Sequence, residues 1–315
     1  MRGAQGYALR RITQIPVAFL IISVLVFGLI HLTPGDPVEL ALPPRSSPEL
    51  IESIRKQFGL DRPLYIQYCD WLAKMVQGDL GKSIQTGESV RTMIAVRLPV
   101  TFTLATTATV ISVIVALFGV IAAVRWHSRT DYVVLLLSTL GMSVPNFFTG
   151  MVLILMFGLV FRILPISGFV NPFSDPVKGL RHIILPAISL GLIYAALHIR
   201  MVRSSMLEVL KQDYVRTAHA KGLSKRVIIL RHALKNAMLP IITVVAMNYA
   251  YMLGGSIVIE QVFALPGIGR LLIDAVNTRD FPVIQGILMI AAVIFLIINL
   301  LADLCYGIID PRIKY

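Results

Sequence analysis

Asp213-Tyr214-Val215-Arg216-Thr217-Ala218-His219-Ala220-Lys221-Gly222-Leu223-Ser224-Lys225-Arg226 lies between two long apolar runs and is the most basic segment of the chain. Leu207, Leu210, Tyr214 and Ala218 recur at three- and four-residue steps, so the spacing predicts one helix with those side chains on a single face. Gly222 stops that helix, because glycine enters the left-handed conformation without a side-chain clash. Leu223 is placed to pack back on the finished turn, and Ser224 to cap a second helix from Lys225. A short helix, a sharp turn and another helix, carried on a loop between membrane spans, make a docking device.

The rest of the chain supplies the membrane. It is 56% hydrophobic and 15% charged, with a mean hydropathy of +0.78. An ordinary soluble domain is ~25% charged, so this composition belongs to a membrane protein. The formal net charge of +12 raises nucleic-acid binding as a reading. That reading fails because the basic residues sit in short loops beside apolar spans, with no aromatic-rich basic face. Cys69 and Cys305 are the two cysteines, and they imply no disulfide framework. The first apolar run lacks a small-residue cleavage pattern after it, so it is expected to be a retained span.

A helix crosses the ~30 Å hydrocarbon core with roughly 20 apolar residues. Six segments qualify, at about residues 15–32, 99–124, 132–161, 182–201, 237–263 and 282–305. The first ends at Thr33-Pro34-Gly35-Asp36-Pro37, which cannot continue a helix. The third is interrupted at Ser143-Val144-Pro145-Asn146, where proline frees a carbonyl and bends the helix. Between the first two spans the chain is polar and balanced, with helical amphipathicity at 48–58 and 64–76, and is expected to fold outside the membrane. The divisions are thus 1–32 (cytosolic N-terminus and first span), 33–98 (external loop) and 99–315 (core with five spans and a cytosolic coupling loop at 204–236).

Orientation follows from charge in the short loops. Arg2, Arg10, Arg11, Arg125, Arg129, the basic run from Arg200 to Lys235, and Arg312 and Lys314 all fall on one side. That side is expected to be cytoplasmic, with both termini and the docking loop in the cytosol.

Other motifs lead away from catalysis. Gly78-Asp79-Leu80-Gly81-Lys82-Ser83 looks like a phosphate-binding loop, but Val76 stands where the first glycine is needed, and the segment lies on the outer side. No catalytic constellation and no metal-ligand spacing occur, and His31, His182 and His198 are read as polar tips near span ends. Ser138, Ser143, Asn146, Asn248 and Asn299 are polar groups inside spans, where two readings stay open: hydrogen bonds between helices, or the lining of a translocation path. Gly254-Gly255 would allow close helix approach or a flexible point, Arg200 and Arg203 are read as charge anchors, and Glu260 is placed at the outer edge. A secondary transporter would need an ionisable coupling residue at mid-membrane and an internal repeat, and neither is evident.

The basic stretch resembles the coupling loop of ABC-importer permeases, the EAA loop, with Gly222 at the family's glycine. The family's Glu-Ala-Ala falls on Arg216-Thr217-Ala218, so only the final alanine agrees, and a Leu-Pro stands at Leu239-Pro240 rather than at Leu234-Lys235. Thr217-Ala218-His219-Ala220-Lys221-Gly222 and His232-Ala233-Leu234-Lys235-Asn236-Ala237 are the form usual in the peptide/nickel branch. Pro34-Gly35-Asp36-Pro37, Leu60-Asp61-Arg62-Pro63-Leu64 with Gln67-Tyr68, Gly78-Asp79-Leu80-Gly81, Met201-Val202-Arg203-Ser204-Ser205-Met206, Pro266-Gly267-Ile268-Gly269, Arg279-Asp280 and Asp310-Pro311-Arg312 resemble the first-subunit type of that branch over nearly the whole chain.

The resemblance implies an all-α polytopic membrane protein with six transmembrane helices and the type I ABC importer (MetI-like) permease fold. It implies half of a channel for peptides, with a nickel or glutathione importer of the same branch as the alternative. It implies as partners a second, non-identical permease, two cytosolic ATP-binding subunits and an extracytoplasmic solute-binding protein, with ATP and Mg on the partners and no cofactor on this chain. Asp213, Tyr214, Arg216, Thr217, Ala218, Ala220, Lys221, Gly222 and Ser224 would form the coupling loop, and Ser143, Asn146, Asn248, Gly254 and Gly255 are candidates for the path.

Overall fold

Long apolar runs that must close their backbone hydrogen bonds in lipid have two solutions, helices or a closed barrel. The computed structural model describes residues 2–32, 47–57 and 61–309, and among them it holds helices and no strand beyond an isolated bridge between Lys82 and Ser89. The turn at Pro34-Gly35-Asp36-Pro37, Leu60, the tail at 310–315 and the side chain of His31 lie outside the described residues.

The helices are α1 (Arg2–Leu32), α2 (Pro48–Gln57), α3 (Leu64–Val76), α4 (Val90–Ala116), α5 (Phe118–Val124), α6 (Arg129–Ser143) and α7 (Asn146–Leu153), which continues as a π-helical stretch over Ile154–Val160. After these come α8 (Pro176–Leu210), α9 (Asp213–Ala220), and α10 (Lys225–Val227), which passes through a π stretch at Ile228–Ala233 into α11 (Leu234–Gly255). The described chain closes with α12 (Ile257–Val262), α13 (Ile268–Asn277) and α14 (Phe281–Ile309).

Three stretches are long and apolar enough to cross a membrane, Val90–Val124, Pro176–Leu210 and Phe281–Ala302, and the number rises to five if each of two bent pairs is one span. The apolar part of α1, Thr13–Leu29, is shorter. The expected interruption at 143–146 is sharp: Arg129–Ser143 and Asn146–Val160 meet at 98°. Pro145 causes it, because proline pushes the residue before it out of the helical region, and Val144 is extended at φ −90°, ψ 123°.

Two helices differ in extent from the sequence expectation. α4 begins at Val90 and runs through Pro99, where the second span was expected to start. α8 is 35 residues long, about 50 Å at 1.5 Å per residue, so it outlasts the ~30 Å core. Its start is fixed by Asp175, whose Oδ1 accepts from the Lys178 N–H at 3.0 Å, followed by Pro176 in the first turn. That backbone hydrogen bond, with help from the Lys178 ammonium, holds the Asp175 carboxyl below the usual carboxylate range.

Contacts divide the chain into two units, one holding Leu9–Pro99 and Pro266–Ile297, the other Met1–Ala8, Val100–Leu265 and Ile298–Tyr315. In the first, Val90, Met93, Ile94, Leu271, Ala275, Val283 and Ile287 form a buried cluster. Phe27, Tyr68 and Trp71 form an edge-to-face and tilted aromatic cluster, and Ser23 shares a hydrogen bond with the Tyr68 hydroxyl, which joins α1 to α3. The loop that mimicked a phosphate site serves packing: Gly78 and Gly81 have positive φ, and buried Ser83 donates its hydroxyl to Asp280. In the second unit, α4, α8 and the segment from Met252 to Leu265 enclose Leu104, Ala108, Leu185, Leu190, Met252, Ile259 and Phe263.

Candidate coupling site and path residues

The basic stretch is two helices where the sequence suggested one continuous helix up to Gly222. α8 ends at Leu210, Lys211 caps it, Gln212 is extended (φ −70°, ψ 148°), and α9 starts at Asp213. The acid in the first turn of α9 suits the positive end of the helix dipole. Breaking the helix resets its phase, so the inward positions change. Val215 and Ala218 are buried and pack with Ile228 and Leu210, whereas Tyr214 is exposed, which corrects the expected Leu207–Leu210–Tyr214–Ala218 face. Tyr214 is used differently: its hydroxyl accepts from Asn236 Nδ2 at 2.8 Å, tying α9 to α11.

The end of α9 is set as expected, by Gly222 at φ +75°. Its N–H donates to the His219 carbonyl at 3.0 Å, and the Leu223 N–H donates to Ala218 at 3.3 Å. This is the Schellman arrangement, which satisfies carbonyls the helix leaves open and needs a left-handed residue at this position. Nothing lies within 4 Å of where a Gly222 Cβ would stand, so the backbone angle alone selects glycine. Ser224 precedes α10 as expected, but its side chain makes no capping hydrogen bond, and the Ile228 N–H is received by its backbone carbonyl. Leu223 is partly exposed rather than packed away. Asp213 and Arg216 pair at 3.5 Å on the surface, and the Thr217 hydroxyl returns to the Asp213 carbonyl. Arg216, Ala220, Lys221, Lys225 and Arg226 stand exposed, a basic outer face over an apolar inner one.

The end of α8 is tied to the preceding helix pair by contacts that sequence reasoning missed. Arg203, read as a charge anchor, donates Nε to Asp131 Oδ1 at 2.6 Å and Nη2 to Oδ2 at 2.8 Å. The Asp131 side chain is 2% exposed and that of Arg203 19%. The backbone N–H of His127 also donates to Asp131, and Ser128 caps α6 by accepting from the Asp131 N–H. Lys211 lies 5.3 Å from the centre of the Trp126 ring. An acid in an otherwise basic loop was the available signal. Arg200 contacts Met142 Sδ and remains exposed.

The path candidates scatter. Ser138 and Ser143 turn their hydroxyls back to carbonyls of their own helix, at Leu135 and Thr139. Asn146 opens α7 beyond the proline break, and Asn299 is half-buried in α14. Asn248 pairs with His198 Nε2 at 2.9 Å, and no hydrogen bond among the described residues joins Ser143, Asn146 and Asn248. His198, read as a polar tip, is fully buried within α8, while His182 stays near the start of that helix and reaches the Lys178 carbonyl. Gly254 and Gly255 end α11 and are exposed, with open space around Gly254, so they mark a break rather than a close crossing. Glu260 is fully enclosed by the protein, and its Oε1 accepts from Thr101 and Ser256.

Residues 115–315 match the family described as binding-protein-dependent transport system inner membrane component, and residues 5–105 match its N-terminal counterpart. The chain belongs to that family. The permease is 40% identical over 310 residues to a probable peptide ABC transporter permease of Sinorhizobium fredii, covering 98% of this chain and 99% of that one. It is 40% identical over 311 residues to a glutathione transport system permease of Escherichia coli, with the same coverage. A dipeptide transport system permease of Alkalihalophilus pseudofirmus is 37% identical over 332 residues, again covering 98% and 99%. A solved amino acid ABC transporter chain superposes with a TM-score of 0.49 at 15% identity, over 70% of this chain and 94% of that one, too loosely to add to the assignment. The permease is an inner-membrane component of an ABC importer, acts with other parts of such a system, and is not itself an enzyme.

Proposed function

We propose that the permease forms half of a channel that carries peptides across the cytoplasmic membrane, driven by ATP hydrolysed with Mg on separate subunits. One observation carries the substrate class: relatives named for peptide, dipeptide and glutathione transport all align over 98% of the chain. Glutathione is a tripeptide, so the three names share one chemistry. The partners in this reading are a second, non-identical permease, two cytosolic ATP-binding subunits and an extracytoplasmic solute-binding protein received in part by residues 33–98.

The arrangement we favour has six spans: the three long helices, the two bent pairs and α1. Both termini and the segment 213–226 face the cytosol in this reading, because the short loops on that side carry the excess of Arg and Lys. The exposed basic face of α9 and its turn meets the ATPase, and the apolar inner face carries the motion to the spans. Ser143, Asn146, Asn248, Gly254 and Gly255 remain the candidates for the path. No cofactor is assigned to this chain.

The test compares a deletion strain with its complemented parent for uptake of labelled dipeptide, labelled glutathione and labelled nickel. Loss of peptide or glutathione uptake alone supports the reading. Loss of nickel uptake alone replaces peptide by metal as the substrate.

A further inference from the structure

The turn at residues 125–131 and the helix leading into it meet the long helix α8 and its cap at three places. Trp126 lies under the Lys211 ammonium, at 5.3 Å. Asp131 receives both arms of Arg203, at 2.6 and 2.8 Å. Gly119, on the helix leading into the turn, lies so close to α8 that a Cβ there would stand 2.4 Å from the Ile199 carbonyl oxygen. From these contacts we infer that the Asp131–Arg203 pair is a positioning pair for energy coupling, making residues 118–143 and the docking segment move as one body. The inference rests on residues 213–226 being the ATPase-docking segment.

The argument begins at the link between α8 and α9. Only Lys211 and Gln212 separate the two helices, and Gln212 is extended. A connection that short transmits translation, and with α9 also packed on Ile228 and bonded to Asn236, the position of the end of α8 sets where α9 stands. Trp126 holds it at Lys211 itself, through a cation over an aromatic face. Arg203 holds it two turns earlier, through a planar two-pronged contact that fixes direction as well as distance.

The turn is built to keep that grip. Asp131 is bound from its own side as well, since its carboxylate takes the His127 N–H and its N–H goes to Ser128. His127 stands at φ +59°, a left-handed conformation that side chains other than glycine rarely adopt. The carboxylate that holds the strained residue in place is the one that holds Arg203. An exposed ion pair would be a weak link, but here Asp131 is buried, and loss of either partner leaves a charge without its counterpart.

The experiment uses the whole transporter, with both permeases, the ATPase subunits and the binding protein, reconstituted in liposomes. Four quantities are read: co-purified ATPase, basal ATP hydrolysis, hydrolysis stimulated by the loaded binding protein, and uptake of labelled dipeptide per ATP. Asp131→Asn and Arg203→Met are expected to retain the ATPase and basal hydrolysis while uptake per ATP falls about tenfold, within the range of a coupling free energy between sites. The swap Asp131→Arg with Arg203→Asp is expected to recover part of that ratio. The paired surface change Trp126→Ala with Lys211→Gln is expected to lower the ratio without loss of assembly, and it covers the case in which the buried variants do not fold. Parental uptake per ATP in the variants that assemble overturns the inference, as does a loss that only tracks the amount of complex. Gly222→Val separates the underlying reading: if it keeps both ATPase and uptake, the docking segment is misassigned, whatever the Asp131 variants do.

Discussion

Thr101 on α4 donates its hydroxyl to Glu260 Oε1 at 2.7 Å, and Ser256 donates to the same oxygen at 3.0 Å. The carboxyl group sits beside the break between α11 and α12 with no exposure to solvent. Replacing Thr101 by Val keeps its shape and removes one donor. A typical hydrogen bond contributes about 0.5–1.5 kcal/mol, so Thr101→Val is expected to melt earlier in detergent and Thr101→Ser to stay near the parent. Equal melting of the Val variant and the parent would sink this account.

Gly222 is held by its backbone angle and by nothing around it. A β-branched side chain at φ +75° is strained by about 1–2 kcal/mol, while asparagine tolerates the region. Gly222→Val is expected to reduce ATPase retention and transport, with Gly222→Asn between it and the parent. If Val and Asn behave alike, side-chain bulk at a contact surface decides and the angle does not.

Gly119 tests the packing of α5 on α8. Its missing Cβ would meet the Ile199 carbonyl at 2.4 Å, and that atom belongs to a helix backbone with little freedom to yield. Overpacking of this kind costs about 1–3 kcal/mol, so Gly119→Ala is expected to lower the melting temperature and Gly119→Leu to prevent accumulation. A stable Gly119→Leu protein would show that the two helices stand further apart.

Asp175 gives a pH dependence with a definite sign. Its carboxyl lies below the usual range because the ionised form accepts the Lys178 N–H at the start of α8. The stabilisation is therefore present above the ordinary carboxylate pKa and is lost as pH falls through the lowered value. Asp175→Ala is expected to melt below the parent at neutral pH, with the gap closing in acid. A gap that stays constant with pH would remove the cap from the explanation.

Cys69 lies on α3 and is exposed. In the proposed orientation it faces outside, so an impermeant maleimide is expected to label it in intact spheroplasts. Labelling only after lysis would invert the topology.

Local features of the chain were legible from residue order, and long-range pairs were not. Gly222 at positive φ, the break before Pro145 and the helical amphipathicity at 48–58 and 64–76 each depend on a few neighbouring residues. The sequence also carried the family, through motifs spread along the chain. Arg203 was read as an anchor because its partner is 72 residues away, and nothing in the spacing of either residue announces the other. His198 and Asn248, 50 residues apart, failed to pair on paper for the same reason. The single-helix reading of 207–218 failed differently: apolar spacing continued across Lys211-Gln212 although the backbone did not, and Tyr214 filled a slot in the pattern that Val215 fills in space.

The π-helical stretch at Ile228–Ala233 has a geometric consequence for the helix that follows it. Ile228, Ala233, Ala237 and Ile241 are all buried, at intervals of five, four and four residues. In an unbroken α-helix, at about 100° per residue, a step of five would turn Ala233 roughly 140° away from Ile228. One wide turn absorbs the surplus residue and returns the two to a common line. Ile228 can thereby pack with Val215 and Ala218 of α9 while Ala233, Ala237 and Ile241 pack with Val202 and Met206 of α8, so one helix serves two buried clusters.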